Sequence, residues 1–484
     1  MIIRWLCEKC NKKWIYPIEK CIYCRGKTTK QKGTKIKVVG ITKVVIPSPM
    51  HPIIPYNILL LEDEFSNRIP KKTMKDYKIG DVYIEQKAKN EDAVSVVKVK
   101  YDIYEAIKAA VELLNGIKLE PDDKVLVKPS IIAAAYPYQA LTTNPDFLNA
   151  LLTVLLEYGI KKENIMVAEQ ALIGSDVIEA ASKAGILDVC KKHEITFADI
   201  SKGPFKEVES EGHIFKIFKE VLNRKVINVP IMKTNFQIGI SGALENLSRL
   251  VDEKTQRDMY FNDIDSTLPK LVKSLLDVFT IADATNGMQG QGPLALGEPA
   301  FLNLVLASKD AAALDTIFCE ITMLPIPPYV NSSLNGVDVK NIEVVGNDLD
   351  ALRYPVKTYI ADETPHPDIK VINGKACPAC LNAMYNLTSK LVGLRGDKIN
   401  LVVGSILTDD MLKGKERLVV LGNCAIKKLE ELKSKPTTKI GEGIDEIEQL
   451  VLLKKLLTTK GNPTITPVDK VKSKMKKLLS KVIS

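Results

Sequence analysis

The chain reads as a multidomain α/β protein: an N-terminal zinc ribbon with a small β-barrel, a central and mostly parallel α/β sheet domain, and a smaller C-terminal α/β domain. Three observations predict this. The 484 residues are too many for one core, and at roughly 150 residues per domain they fill about three. Two C-x-x-C pairs stand close together near the N-terminus. Beyond about residue 96, short apolar runs alternate with helical segments, the pattern of buried strands covered by helices.

The ribbon occupies residues 1–32. Cys7-x2-Cys10, ten intervening residues and Cys21-x2-Cys24 give two tight knuckles that present four thiolates tetrahedrally, which suits Zn²⁺. So small a unit cannot bury enough apolar surface alone, and a metal supplies the missing folding free energy. Four protein ligands leave no open position, so the site is expected to be structural. Residues 33–85 contain TKIKVVGITKVVI, YNILLLEDE and KIGDVYIEQ, short alternating segments broken by Pro and Gly, as in a small barrel. The polar stretch 86–95 reads as a linker.

A ribbon with Trp14 and Pro17 between its knuckles, followed by PYNILLLEDE and KIGDVY, resembles the family called domain of unknown function 35. The resemblance covers about residues 1–85. It implies an OB-like barrel at 33–85. It also implies an N-terminal unit that binds acyl-CoA or docks a partner enzyme of the thiolase type. Docking to another protein or to nucleic acid stays open beside it.

The central domain spans 96–365. DKVLVKPS reads as a strand and PDFLNALLTVLLEYG as a helix, with Asn144 at its cap and Pro145 at its first position. Then come NIMVAEQ (strand), SDVIEAASKAGILDVCKKH (helix), ITFADIS, KVINVPIMKTN, FTIADATNG and LNLVLASKD (strands), and AAALDTIFCEITM (helix). Open parallel sheets bind ligands beyond the carboxyl ends of their strands, so the residues there are the candidates. Lys128 and Lys233 are expected to clamp a phosphate or carboxylate, and Asp283 or Glu245 to move a proton. Ser130, Thr143, Thr234, Asn235, Asn286 and the glycines of GMQGQGP (Gly287, Gly290 and Gly292) complete the expected ligand-binding set, glycines letting backbone N–H groups approach an anion. A plain turn fits GMQGQGP equally well.

KPS, TTNPDF, VINVPIMKTN, ISGALENLSRLV, IADATNGMQGQGP and LASKDAAALDTI occur in the order found in the family called domain of unknown function 362, which the stretch from about 96 to 350 resembles. Many members carry a ferredoxin-like iron–sulfur segment. The usual pattern has Asn, His and Lys where this chain has Ser130, Asn235 and Glu245, which implies a different substrate or a lost activity.

Residues 366–455 form the smaller α/β unit. Cys377 and Cys380 sit between a strand and a helix, and Cys424 follows a later strand. Three thiolates at one point suit a [4Fe–4S] cluster or a second metal, while a redox pair or three core thiols are the other readings. The tail, 456–484, ends in a basic amphipathic helix suited to an anionic surface, RNA or an acidic partner.

The net charge of +9 is concentrated in the ribbon and tail rather than spread evenly. No window is apolar enough for a membrane span, and the N-terminus lacks a signal peptide's features, so a cytoplasmic location is expected. Three functions compete: an enzyme acting on an anionic small molecule such as an acyl-CoA or phosphorylated acid, a non-catalytic scaffold that docks partner enzymes, and an RNA- or ribosome-associated protein.

Overall fold

A computed structural model describes residues 1–48, 51, 53–172, 175–275, 277–294, 297–334, 336–358, 366–376, 378–389, 391, 394–436, 438–440 and 446–458. Cys377 and the basic end of the tail lie outside these residues. The chain divides into two units, Met1–Thr255 with Asp265–Tyr359 and Gln256–Ile264 with Ile360–Ser484.

The first unit opens with β1 (Ile2–Cys7), β2 (Lys13–Trp14) and β3 (Thr28–Gly33), an antiparallel sheet in the order β2-β1-β3. Next come β4 (Ile36–Val44), β5 (Tyr56–Glu62), β6 (Arg68–Thr73) and β7 (Val82–Tyr83), an antiparallel half-barrel in the order β6-β5-β4-β7. Alternation along β4 and β5 turns Ile36, Val38, Leu59 and Leu61 inward, where Ile2 and Tyr83 join them. The stretch read as a linker is packed instead. Ala88 and Ala93 fill a small core with Leu113 and Val345, because two alanines in a polar run are enough to seal a seam.

The central sheet contains β8 (Val94–Lys98), β9 (Val125–Pro129), β10 (Ile165–Glu169), β11 (Thr196–Asp199), β14 (Lys225–Val229), β15 (Ile231–Asn235), β16 (Gly239–Ser241), β17 (Val278–Gly290), β18 (Gly297–Ala300), β19 (Leu304–Ser308) and β20 (Val344–Gly346); β12 (Phe205–Ser210) and β13 (His213–Phe218) form a separate hairpin. Its main path runs β11-β10-β9-β14-β17-β19-β8-β20. The sheet is mixed but mostly parallel along this path: β19 runs antiparallel to both β17 and β8, and the other five pairings are parallel. One half, β11-β10-β9-β14-β17, is wholly parallel. Helices α1 (Ile103–Leu113), α2 (Pro145–Glu157), α3 (Val177–Lys183) and α4 (Ile186–His193) share one core with these strands. Asn144 caps α2 as expected, its side chain accepting from the Asp146 N–H at 2.9 Å. The single helix expected over 175–193 is two, broken where Gly185 takes φ 77°. Five further helices follow: α5 (Ala243–Leu247), α6 (Glu253–Asn262), α7 (Ile264–Ser274), α8 (Ala311–Thr322) and α9 (Pro328–Ser333), then the short α10 (Leu349–Leu352).

In the second unit, β21 (Ile369–Gly374), β22 (Ile399–Gly404), β23 (Leu418–Leu421) and β24 (Thr438–Ile440) form a parallel sheet in that order. The accompanying helices are α11 (Pro378–Ser389), α12 (Asp409–Leu412), α13 (Asn423–Glu431) and α14 (Glu446–Thr458). Val402, Val420, Ala425 and Leu429 are buried together between sheet and helices. No helix among the described residues is long and apolar enough to cross a membrane.

Candidate functional site

Two clusters carry chemistry in the first unit. The simpler is the group of four N-terminal cysteines. The sulfurs of Cys7, Cys10, Cys21 and Cys24 all lie within 4.8 Å of one another, with Cys7–Cys24 at 3.4 Å and Cys10–Cys21 at 3.6 Å. Four thiolates about 2.3 Å from a tetrahedral ion sit about 3.8 Å apart, so the donor set fits such an ion. Burial resists the Cys21 thiolate, yet the Cys24 and Tyr23 amides draw its pKa down to about 6, the state a metal needs. The four cysteines can therefore hold a metal such as zinc.

The second cluster is built by the parallel half of the sheet. Lys128 and Glu169 stand at the carboxyl ends of neighbouring strands, β9 and β10, Lys128 one residue and Glu169 two residues past the paired Val127↔Val167. Lys128 Nζ donates to Glu169, and at 3.3 Å to Asn246 Oδ1. Asn246, on α5, in turn donates from Nδ2 to the Lys128 carbonyl at 3.2 Å and to Asn228 Oδ1 at 2.8 Å. Asn228 sits directly across from Lys128 on β14. Lys233, on β15, points its ammonium at the Leu141 carbonyl, 3.2 Å away, and at Ser130 Oγ, 3.5 Å away.

Lys128 and Glu169 are wholly sealed from solvent, Lys233 is 1% exposed, and Glu245 and Arg249 are each 5% exposed. Burial disfavours charge. It lowers the Lys128 pKa against the opposing pull of Glu169, and brings Lys233 down to about 7 despite Glu245. It also lifts Glu169 to about 7 against Lys128 and Arg249. Counted formally, three cations face two carboxylates. Several polar atoms there have no hydrogen-bond partner: Glu169 Oε1, Arg249 Nη1, Ser248 Oγ and Thr142 Oγ1. Unpaired buried polar atoms are rare, since each costs about 1–3 kcal/mol.

The remaining expected residues fall around this cluster. Ser130 donates its N–H to Thr143 Oγ1 at 2.9 Å, and Thr143 donates to the Val229 carbonyl at 2.8 Å, which locks the loop after β9. Asp283 is fully buried and occupied. It accepts from the Asn144 N–H at 2.9 Å, the Thr285 N–H at 3.0 Å and the Thr285 hydroxyl at 2.6 Å, so its carboxylate anchors the entry to α2. Thr234 donates to the Gly290 carbonyl at 2.9 Å. Asn235 donates to Ser241 Oγ at 3.0 Å. Asn286 reaches the Tyr138 carbonyl at 3.5 Å, while its own Oδ1 is buried without a partner. Gly287 and Gly290 lie in β17 rather than in a loop, and Gly292 follows it. A Cβ on Gly287 would stand 2.7 Å from the Met232 carbonyl. A Cβ on Gly292 would stand 2.3 Å from the Thr234 carbonyl, whereas Gly290 has open space around it and takes φ 71°.

Sequence reasoning did not find Arg249, Asn228, Asn246 or Asp315. Asp315, on α8, accepts from the Ala243 N–H at 2.6 Å and the Leu244 N–H at 3.0 Å, so it caps α5 and fixes Glu245, Asn246 and Arg249. Burial lifts its pKa to about 7. Only glycine fits at 242, where a Cβ would lie 2.1 Å from Asp315 Oδ1. The available signal was a carboxylate, Asp315, inside an apolar helix and an arginine inside the apolar run ALENLSRLV.

In the second unit, Cys424 lies in the first turn of α13. A hydrogen bond from Cys380 lowers its thiol pKa to about 6, so these two cysteines converge. Cys377 lies outside the described residues. Among the described residues, Cys7, Cys10, Cys21 and Cys24 form the one group of three or more such side chains close enough to share an ion. Cys190 and Cys319 are core residues, 3% and 1% exposed.

Comparison with known proteins agrees with the central segment's motifs. Residues 125–320 match the family model described as a domain of unknown function, DUF362. A thylakoid-associated protein of Synechocystis is 24% identical over 228 residues, covering 45% of this chain and 70% of that protein.

Proposed function

We propose that the central sheet is the working part of an enzyme that takes a small anion, a carboxylate or a phosphate, into the cluster of Lys128, Glu169, Lys233, Glu245 and Arg249. The observation that carries this is the sealed imbalance of three cations against two carboxylates, beside polar atoms without partners. Keeping all three cations charged in a low-dielectric site is costly, and an incoming monoanion offsets that cost by letting Lys233 hold its proton. Lys233 and Arg249 would hold the anion. Lys233, with its pKa brought near neutrality by burial, and Glu245 are placed to move a proton. Asp283, engaged by the chain's own donors, is left as a positioning residue. Because the cluster is sealed, a ligand enters only when its cover moves, and association is then slower than about 10⁵ M⁻¹s⁻¹.

The four N-terminal thiolates would hold Zn²⁺ as a structural ion, and the segment that follows would act as an OB-like docking module. Acyl-CoA compounds and phosphorylated acids both fall in the ligand class. A panel of inorganic phosphate, short dicarboxylates and acyl-CoA compounds, screened by thermal shift, separates them. The expected result is stabilisation by one class that disappears in Lys233→Met, a variant that replaces the ammonium with an apolar group of similar length. Equal stabilisation of Lys233→Met, or none of the wild type by any anion, would refute the assignment.

A further inference from the structure

The ribbon's outer surface is not explained by metal binding. Residues 1–33 hold nine Lys and Arg against two Glu, a net +7 out of the whole chain's +9. Lys30 and Lys32 are paired with Glu105 on α1, and Lys13 is bonded to Phe65 O and Asn67. Lys9, Lys12, Lys20, Arg25 and Lys27 are exposed, and among the described residues none has a carboxylate partner. Between them lies a group of aromatic rings. Trp14 stacks on Tyr23 with centroids 5.6 Å apart and planes 23° from parallel, and Tyr16 leans on Trp14 at 5.9 Å. Lys12 Nζ sits 4.1 Å from the Tyr23 centroid. Tyr23 is 67% exposed and Tyr16 48%, more than a ring filling a core would be.

We infer that this surface binds single-stranded nucleic acid. Unpaired cations interleaved with exposed flat rings match a phosphate backbone carrying unstacked bases: the cations track the phosphates and the rings accept the bases. Residues 1–33 offer short strands and knuckles and no helix to enter a duplex major groove, which favours a single strand over a double one. An acidic peptide would use the charges and leave the ring stack without a role. The inference stands apart from the anion site, since it rests on residues 9–27 alone.

The test is fluorescence anisotropy of the full-length, metal-loaded protein with a labelled oligouridylate and the matching oligothymidylate across a salt series. Binding is expected to weaken as salt rises, with a log–log slope of about −0.7 per phosphate neutralised. Tyr23→Ala and Tyr16→Ala should each weaken it by roughly fivefold or more. Lys12→Gln should flatten the slope by about 0.7. Tyr23→Phe keeps the ring and should keep the affinity, while Tyr23→Leu should lose it. That pair decides the matter if an alanine variant sheds its metal. A preference between the two oligonucleotides identifies RNA or DNA as the partner. No binding at low salt, unchanged affinity in Tyr23→Leu, or polyglutamate competing as well as oligouridylate would each overturn the inference, the last by assigning the surface to an acidic protein.

Discussion

The two clusters of the first unit solve the same problem, holding like charges together, in opposite ways. In the N-terminal cysteine cluster four sulfurs crowd to within 4.8 Å, and the remedy would be a cation from outside. In the central sheet, two lysines and an arginine are sealed with two carboxylates, and the chain supplies most of the compensation itself, one anion completing it on the proposed reading. The N-terminal cluster draws its four cysteines from an eighteen-residue stretch, Cys7 to Cys24. The sheet cluster draws on residues from Lys128 to Asp315, brought together by parallel strand register and by α5 being capped from α8. The difference teaches that a local site fails when its ion is removed, whereas a topological site fails when one partner is removed.

The sharpest break between the two should come from chelation. Removing the metal should unfold β1–β3, since a structural zinc contributes on the order of 10 kcal/mol to so small a unit. Hydrogen exchange should then show loss of protection over residues 1–33 while β9, β10 and β14 keep theirs. Loss of protection in both places would merge the two regions into one cooperative unit.

Next in size is Glu169→Ala. It strands the Lys128 ammonium in a sealed site and should cost about 3–5 kcal/mol by urea denaturation. The double variant Lys128→Met, Glu169→Leu should recover most of that, because two apolar groups replace an expensive pair. A double variant as unstable as the single would show that the pair contributes through the wider network and not through mutual compensation.

These contrasts explain what was legible in the sequence. Cys7, Cys10, Cys21 and Cys24 were readable because two knuckles at close spacing have one common use. Asn144 and Pro145 marked the start of α2 for an equally local reason, a side-chain cap and a fixed φ. Lys128 and Lys233 stood out as ammonium groups at the ends of apolar strands, which solvation alone does not explain. Arg249, Asn246 and Asp315 were not legible, because their roles depend on which strands are neighbours, and that is set by long-range pairing. The antiparallel run of β19 was hidden for the same reason, since an apolar strand reads alike in either direction. GMQGQGP was ambiguous because glycine serves close strand packing, as at Gly287, or a positive φ, as at Gly290, as readily as an anion loop.

A smaller effect comes from Asp315→Ala. It leaves two amide hydrogens at the start of α5 without an acceptor and should cost about 1–3 kcal/mol. Because α5 carries Glu245 and Asn246, it should also weaken anion binding without touching the anion. Weakened stability with unchanged anion affinity would separate α5 from the site.

The last signal is the most direct. Burial brings the folded Lys233 pKa down to about 7, while the unfolded chain holds that proton to about pH 10. Stability should therefore rise with pH across that window and lose this rise in Lys233→Met. An anion beside Lys233 restores the charge and draws in a proton. Calorimetric titration with the anion that gives the largest thermal shift, run near pH 8 in two buffers of different ionisation enthalpy, measures that uptake. The account predicts uptake approaching about one proton per chain in the wild type and little in Lys233→Met. Binding with no proton uptake, or with the same uptake in both proteins, would contradict it.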